Sequence, residues 1–112
     1  KTAILSNGSP DMLDGAVTSA GLGELLDGVH SVADVGIFKP DSRTYQLSVD
    51  DLGVKAEEIC FMSSNAWDAC GAAHFGFQVV WVNRFGQPPE RLPGSPRAVI
   101  NSLENLPELL GA

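Results

Sequence analysis

Ile59-Cys60-Phe61-Met62-Ser63-Ser64-Asn65-Ala66-Trp67-Asp68 decides the fold. A short apolar run of strand-forming residues stops at the small polar residues Ser63, Ser64 and Asn65, and a small-residue helical pattern follows from Ala66 to Phe75, closed by Gly76. In an open α/β sheet the carboxyl ends of the strands meet the ligand crevice, and the helix that follows offers its positive N-terminus to an anion. Two further segments have the same form. Ala3-Ile4-Leu5 runs into Ser6-Asn7-Gly8-Ser9, and Gly36-Ile37-Phe38 runs into Lys39-Pro40-Asp41. Three polar strand ends, one carrying a lysine, are expected to converge on one catalytic site.

Around these segments, strands and helices alternate. A strand at Thr2–Leu5 leads to a helix at about Pro10–Ala20, with Pro10 suited to a first turn, and Gly21-Leu22-Gly23 breaks it. Residues 25–31 predict a short helical turn, followed by a strand around Ser31–Val35 and an extended piece at Gly36–Phe38. A second helix is expected from about Ser42 to Leu52, with Tyr45, Val49 and Leu52 on one face and Gly53 at its end. Strand Ile59–Met62, helix Ala66–Phe75 and strand Gln78–Val82 complete the core. Beyond Asn83, Gln87-Pro88-Pro89-Glu90 and Pro93-Gly94-Ser95-Pro96 are loop chemistry. Val99-Ile100 then suggests an edge strand, and Pro107 to Gly111 a last helical turn. This order predicts an α/β fold: a Rossmann-like, doubly wound parallel sheet with flanking helices and right-handed crossovers.

Composition narrows the function. The chain has 112 residues, 44% hydrophobic and 19% charged, as expected of one ordinary globular domain or part of one. Lysine and arginine number 7 against 14 aspartates and glutamates, a formal net charge of −7, which argues against nucleic acid or an anionic membrane surface as partner. No apolar run approaches the about 20 residues of a membrane span, and residues 1–5 do not form a signal peptide. Cys60 and Cys70 match no zinc spacing, and His30 and His74 do not cluster with them. Both cysteines are expected to be reduced core fillers in a cytoplasmic protein.

The segments Ser6-Asn7-Gly8, Lys39-Pro40-Asp41 and Ser63-Ser64-Asn65-Ala66-Trp67-Asp68 resemble successive motifs of the haloacid dehalogenase superfamily, and most of all its type II L-2-haloacid dehalogenases. The similarity runs from Ala3 to about Arg84. The first two motifs are weak singly; the third, in register with both, is specific. The family's own first motif, a strand-end aspartate nucleophile followed by a helical cap domain, has no counterpart in these residues. Residues 1–112 therefore resemble the C-terminal part of the core domain, with the first strand, nucleophile and cap absent, and alone should be inactive.

The resemblance implies a reaction. An aspartate attacks C2 of a short 2-halo acid, displaces halide, and leaves an ester that water hydrolyses to a 2-hydroxy acid. Lys39, Ser63, Asn65 and Asp68 take the catalytic positions: Lys39 holds the nucleophile's charge, Ser63 and Asn65 orient Lys39 and the water, and Asp68 anchors or activates that water. Ser6, Asn7, Tyr45 and Trp67 take the substrate positions: Ser6 and Asn7 as donors to the carboxylate or halide, Tyr45 through its hydroxyl, and Trp67 lining the apolar wall. The superfamily's phosphatases hold Mg²⁺ partly through a carboxylate where this chain has Ser64, so neither metal nor other cofactor is expected here. The partners implied are a 2-halo acid, water and the N-terminal remainder of the same enzyme. Homodimers are common in the family, but the sequence offers no interface for one.

Blander readings stay open residue by residue. Ser6-Asn7-Gly8 also fits a simple turn, Lys39 a surface loop lysine, Ser63 to Asn65 a helix cap, and Tyr45 a half-buried helix residue. Trp81 is assigned to the core and His74 to compensation of a helix dipole, while Arg84, just past a strand end, fits either a place near the site or a surface ion pair, the surface being preferred. The alternatives to dehalogenation are a Mg²⁺-dependent small-molecule phosphatase and a non-catalytic α/β module that binds an anion or a partner chain.

Overall fold

β-Branched and aromatic residues, broken by Ser, Asn and Gly, produce short parallel strands joined through helices. The structure is a computed structural model that describes residues 1–111. The chain divides into two compact units, Lys1–Val54 and the residues from Lys55 onward. Each is α/β, with a parallel sheet and helices beside it, as the alternating pattern predicts. No helix among the described residues is long and apolar enough to cross a membrane.

In the first unit β1 (Ala3–Ser6) pairs in parallel with β2 (Gly28–Ser31), Ala3 opposite Gly28 and Ser6 opposite Ser31. Helix α1 (Pro10–Ala20) connects them. The Ser9 hydroxyl caps it by accepting from the Met12 N–H at 3.2 Å, and Gly21 ends it in the left-handed region. Helix α2 (Ser42–Leu52) is capped by Asp41, whose carboxylate accepts from the Arg43 N–H at 2.9 Å. Its buried face is Thr44, Tyr45 and Ser48, with Val49 and Leu52 half-buried, so the face predicted at Tyr45, Val49 and Leu52 includes polar neighbours as well.

Those polar neighbours meet β2. The buried His30 ring lies 2.8 Å through Nδ1 from the Ser48 hydroxyl and 2.7 Å through Nε2 from the Asp51 carboxylate. Strand and helix are thus joined by bonds at both ring nitrogens. Gly28 is needed beside this clamp, because a Cβ there would lie 2.7 Å from His30 Nε2.

Two sequence expectations in this unit are corrected. The strand placed at Ser31–Val35 lies at Gly28–Ser31, and Val32–Asp34 form a 3₁₀ turn. Ser31 ends the strand: its hydroxyl accepts from the Ala33 N–H at 3.2 Å, a local bond that competes with the sheet ladder. The extended piece at Gly36–Phe38 is no strand either. Gly36, at φ 71°, turns the chain with its N–H on the Val32 carbonyl at 2.9 Å. Lys39 therefore follows a turn rather than a strand end.

In the second unit β3 (Cys60–Ser63), β4 (Gln78–Val82) and β5 (Ala98–Ile100) form a parallel sheet in that order. The middle strand β4 is buried from Val79 to Val82, including Trp81 as expected. Helix α3 (Ala66–Phe75) packs against β3 and β4 through Ala66, Asp68, Ala69, Cys70 and Ala72, small side chains that permit close approach. Phe77 packs against Phe61 and Phe75, with ring centroids 5.6 and 5.2 Å away. The loop before β5 also touches α3: a Cβ on Gly94 would fall 2.3 Å from the Cys70 carbonyl oxygen. A short helix α4 (Leu106–Leu109) follows β5.

The cysteines divide. Cys70 is buried as expected, and its burial and the nearby Glu90 carboxylate push the thiol upward. Cys60 is exposed, contrary to expectation. It shares a face of β3 with Met62, itself 39% exposed, and among the described residues β3 pairs on the β4 side alone.

Two tests follow from the first unit. Gly28→Ala should destabilise it by about 1–3 kcal/mol, because the doubly bonded His30 ring cannot move aside. The same substitution should cost less in a His30→Ala background; equal costs in the two backgrounds, read from urea midpoints, would contradict the clamp. The hydrogen bonds from Arg43 hold the Asp41 carboxyl below its ordinary value. Its contribution is therefore present above the unfolded value of about 3.9 and is lost as pH falls through the lower native one. The gap in urea midpoint between wild type and Asp41→Ala should shrink as pH is lowered into that range, and a gap that widens there would contradict the assignment.

Candidate functional site

The first unit assembles Ser6, Asn7 and Lys39. Ser6 stands at the carboxyl end of β1, and its Oγ accepts from the Gly8 N–H at 3.0 Å, which folds the Ser6-Asn7-Gly8 turn and leaves the hydroxyl hydrogen to donate. The Ser31 hydroxyl donates to the Gly8 carbonyl at 2.7 Å, fastening the same turn from β2. Asn7 then reaches across 32 residues of sequence: its side-chain oxygen accepts from the Lys39 N–H at 2.9 Å. With that oxygen engaged, the NH₂ of Asn7 is its remaining donor. The half-buried Lys39 ammonium donates to the Leu5 carbonyl at 3.3 Å. One lysine is thus held at its backbone and its tip by residues flanking Ser6. Tyr45, in the first turns of α2, is wholly buried.

The second unit assembles the Ser63–Asp68 turn. Ser63 ends β3 opposite Trp81 of β4, and its hydroxyl accepts from the Asn65 N–H at 3.2 Å. Asn65 occupies the capping position of α3 in an extended conformation, but its side chain makes no capping hydrogen bond. The cap reading is thereby narrowed: Ser63 braces the turn, and the Asn65 carboxamide is exposed and not used as a cap. Trp67 is half-buried, and Asp68, in the first turn of α3, is only 2% exposed. Its carboxylate lies near the positive end of the helix dipole.

Three further residues brace these turns. Arg84 is exposed, in keeping with the preferred surface reading, but its guanidinium Nη1 donates to the Ser64 hydroxyl at 2.7 Å. Trp81 is core, and its indole N–H also donates to the Ser64 carbonyl at 3.2 Å. Ser31 secures the Gly8 carbonyl. A signal for Arg84 was present. It directly follows Asn83 at the end of a strand parallel and adjacent to β3, and neighbouring parallel strands end on the same side.

Among the described residues no group of three or more His, Cys, Asp or Glu side chains could hold a metal ion. Position 64 is a poor place for a divalent cation in particular, since it offers a hydroxyl already engaged by a guanidinium.

The model of the haloacid dehalogenase-like hydrolases matches residues 1–76. The chain is 49% identical over 109 residues to the (S)-2-haloacid dehalogenase 1 of Pseudomonas sp. (strain CBS-3), covering 97% of this chain and 48% of that relative. It superposes with a TM-score of 0.94, at 45% identity, on the crystal structure of an L-2-haloacid dehalogenase, covering 98% of this chain and 48% of that one. An L-2-haloacid dehalogenase from Xanthobacter autotrophicus with covalently bound chloropropionic acid gives a TM-score of 0.95 at 36% identity, over 100% of this chain and 55% of that one. The chain thus spans about half the length of the curated relatives it matches. With a family model covering most of its residues and relatives nearly half identical over almost its whole length, the chain belongs to the haloacid dehalogenase-like hydrolases.

Proposed function

We propose that the polypeptide to which these residues belong hydrolyses short 2-haloalkanoic acids to 2-hydroxy acids, through an ester on an aspartate that lies outside residues 1–112. The carrying observation is the double anchoring of Lys39 by Asn7 and Leu5, in a chain nearly half identical to an enzyme named for (S)-2-haloacids. A fixed ammonium stabilises a carboxylate nucleophile without having to exchange a proton. Ser6 and the Asn7 NH₂ donate to the substrate carboxylate or the departing halide. Asn65 and Ser63 donate around the ester and the attacking water, and Asp68 holds or activates that water. Trp67 supplies apolar wall, and Tyr45, buried on α2, braces the segment behind Lys39 or lends its hydroxyl. The names of the relatives favour the (S) enantiomer as substrate.

The domain reading belongs to the same proposal. Residues 1–112 are the C-terminal part of a core domain whose nucleophile and cap come from upstream. Among the described residues β1 pairs with β2 alone and β3 with β4 alone, so each keeps an edge that a further strand can join. We place the enzyme in the cytoplasm, in keeping with its unpaired cysteines. The phosphatase alternative is less well supported: Ser64 is no carboxylate, and a guanidinium occupies its hydroxyl.

The complete polypeptide should release chloride from (S)-2-chloropropionate at a rate unaffected by chelator and should not hydrolyse p-nitrophenyl phosphate. Chelator-sensitive phosphate release without halide release would overturn the assignment. Lys39→Ala should lower turnover by roughly 100-fold or more, and near-normal turnover would refute its role. Asp68→Asn should slow ester hydrolysis more than ester formation, so that protein-bound ester accumulates in mass spectra; unchanged steady-state halide release would count against it.

A further inference from the structure

We infer that Arg84 is a positioning residue, acting through Ser64 to set the Ser63–Asp68 turn. The inference rests on the proposed reaction only for its kinetic readout.

Ser64 is the one residue of the Ser63-Ser64-Asn65 run fixed at both of its oxygens from another strand's end. Its carbonyl accepts from the buried Trp81 indole, and its hydroxyl accepts from the Arg84 guanidinium. Both donors belong to β4 or the residues just after it, while Ser64 follows β3. These two bonds therefore tie together the carboxyl ends of neighbouring strands at the point where the motif turn begins.

Arg84 is itself placed on a built loop. The Asn83 side chain closes it in both directions, its NH₂ donating to the Gln87 carbonyl at 2.9 Å and its oxygen accepting from the Gln87 N–H at 2.9 Å. The Asn83 N–H donates to the Ile100 carbonyl at 2.7 Å, which fastens the loop to β5, and Gly86 turns within it at φ 62°. A long, entropically costly side chain that reaches a neutral hydroxyl from so constrained a loop is positioned for its partner rather than left for solvent.

Ser63 and Asn65 flank Ser64, and they are joined to each other by the 3.2 Å bond from the Asn65 N–H to the Ser63 hydroxyl. Rotation of residue 64 displaces both. Small displacements of groups near reacting atoms are expensive in rate. Substrate affinity need not change, because Arg84 is not required to touch the substrate. Trp81 still holds the Ser64 carbonyl when Arg84 is removed, so the loss should be moderate.

The test is a double-mutant cycle in the full-length enzyme, with halide release and amide hydrogen exchange as readouts. Arg84→Ala and Ser64→Ala should each lower kcat by about 10- to 100-fold with KM within about 2-fold, and the double variant should be no worse than the poorer single one. Arg84→Lys should recover part of the loss. Protection of the Asn65 amide should fall by a similar factor in both single variants and no further in the double. Additive losses, a rise in KM with kcat unchanged, or unaltered exchange at Asn65 would overturn the inference. If the wild-type enzyme releases no halide the functional proposal fails, and the exchange measurement alone decides the role of Arg84.

Discussion

The pair of hydrogen bonds that fixes Lys39 is the constraint on which the first unit's candidate site depends. A lysine carries a flexible four-carbon stem and loses considerable rotamer freedom when held in one place. Here the backbone is fixed by the Asn7 side chain and the ammonium by the Leu5 carbonyl, so both ends of the residue are referred to the end of β1. That explains several choices at once. Asn7 must offer a carbonyl oxygen at short reach. Ser6 must close its turn on the Gly8 N–H, and Ser31 must secure the Gly8 carbonyl. The clamp of His30 on Ser48 and Asp51 then holds the helix that begins just after Lys39 to the strand beside β1.

The second unit solves a different problem with similar means. Its motif turn carries small polar side chains, which have little packing of their own to keep them in place. The turn is instead built from hydrogen bonds: Ser63 to the Asn65 N–H, Trp81 to the Ser64 carbonyl and Arg84 to the Ser64 hydroxyl. Beneath it, α3 approaches the sheet through alanines and Cys70, and the loop at Gly94 reaches the helix backbone, where no Cβ would fit. Rigidity behind the turn leaves the Asn65 side chain exposed and uncommitted to the helix cap.

Much of this was legible in the amino-acid order. Pro10–Ala20, Ser42–Leu52, Ala66–Phe75 and Gln78–Val82 begin and end where capping residues, glycines and apolar periodicity place them. The grouping of Ser6, Asn7 and Lys39 was expected, and so was a polar turn at Ser63–Asp68. What could not be read was set by long-range side-chain bonds. Val32 and Val35 have strand propensity, yet Val32–Asp34 form a 3₁₀ turn in which the Ser31 hydroxyl accepts from the Ala33 N–H, and Gly36 turns the chain ahead of Lys39. Cys60 looked like a core residue because an apolar run says nothing about which face is covered. Arg84 looked like a surface arginine because its partner, Ser64, lies 20 residues earlier.

The most direct test of the account is a single turnover of the complete enzyme, in excess over (S)-2-chloropropionate, in ¹⁸O-labelled water. If an aspartyl ester forms and is opened at the enzyme's carboxyl carbon, the first turnover leaves the heavy oxygen on the protein. The 2-hydroxy acid is then released unlabelled at C2. Heavy oxygen at C2 of the hydroxy acid in that first turnover would mean that water attacks the substrate directly, and the role assigned to Lys39, as counter-charge to a carboxylate nucleophile, would be contradicted.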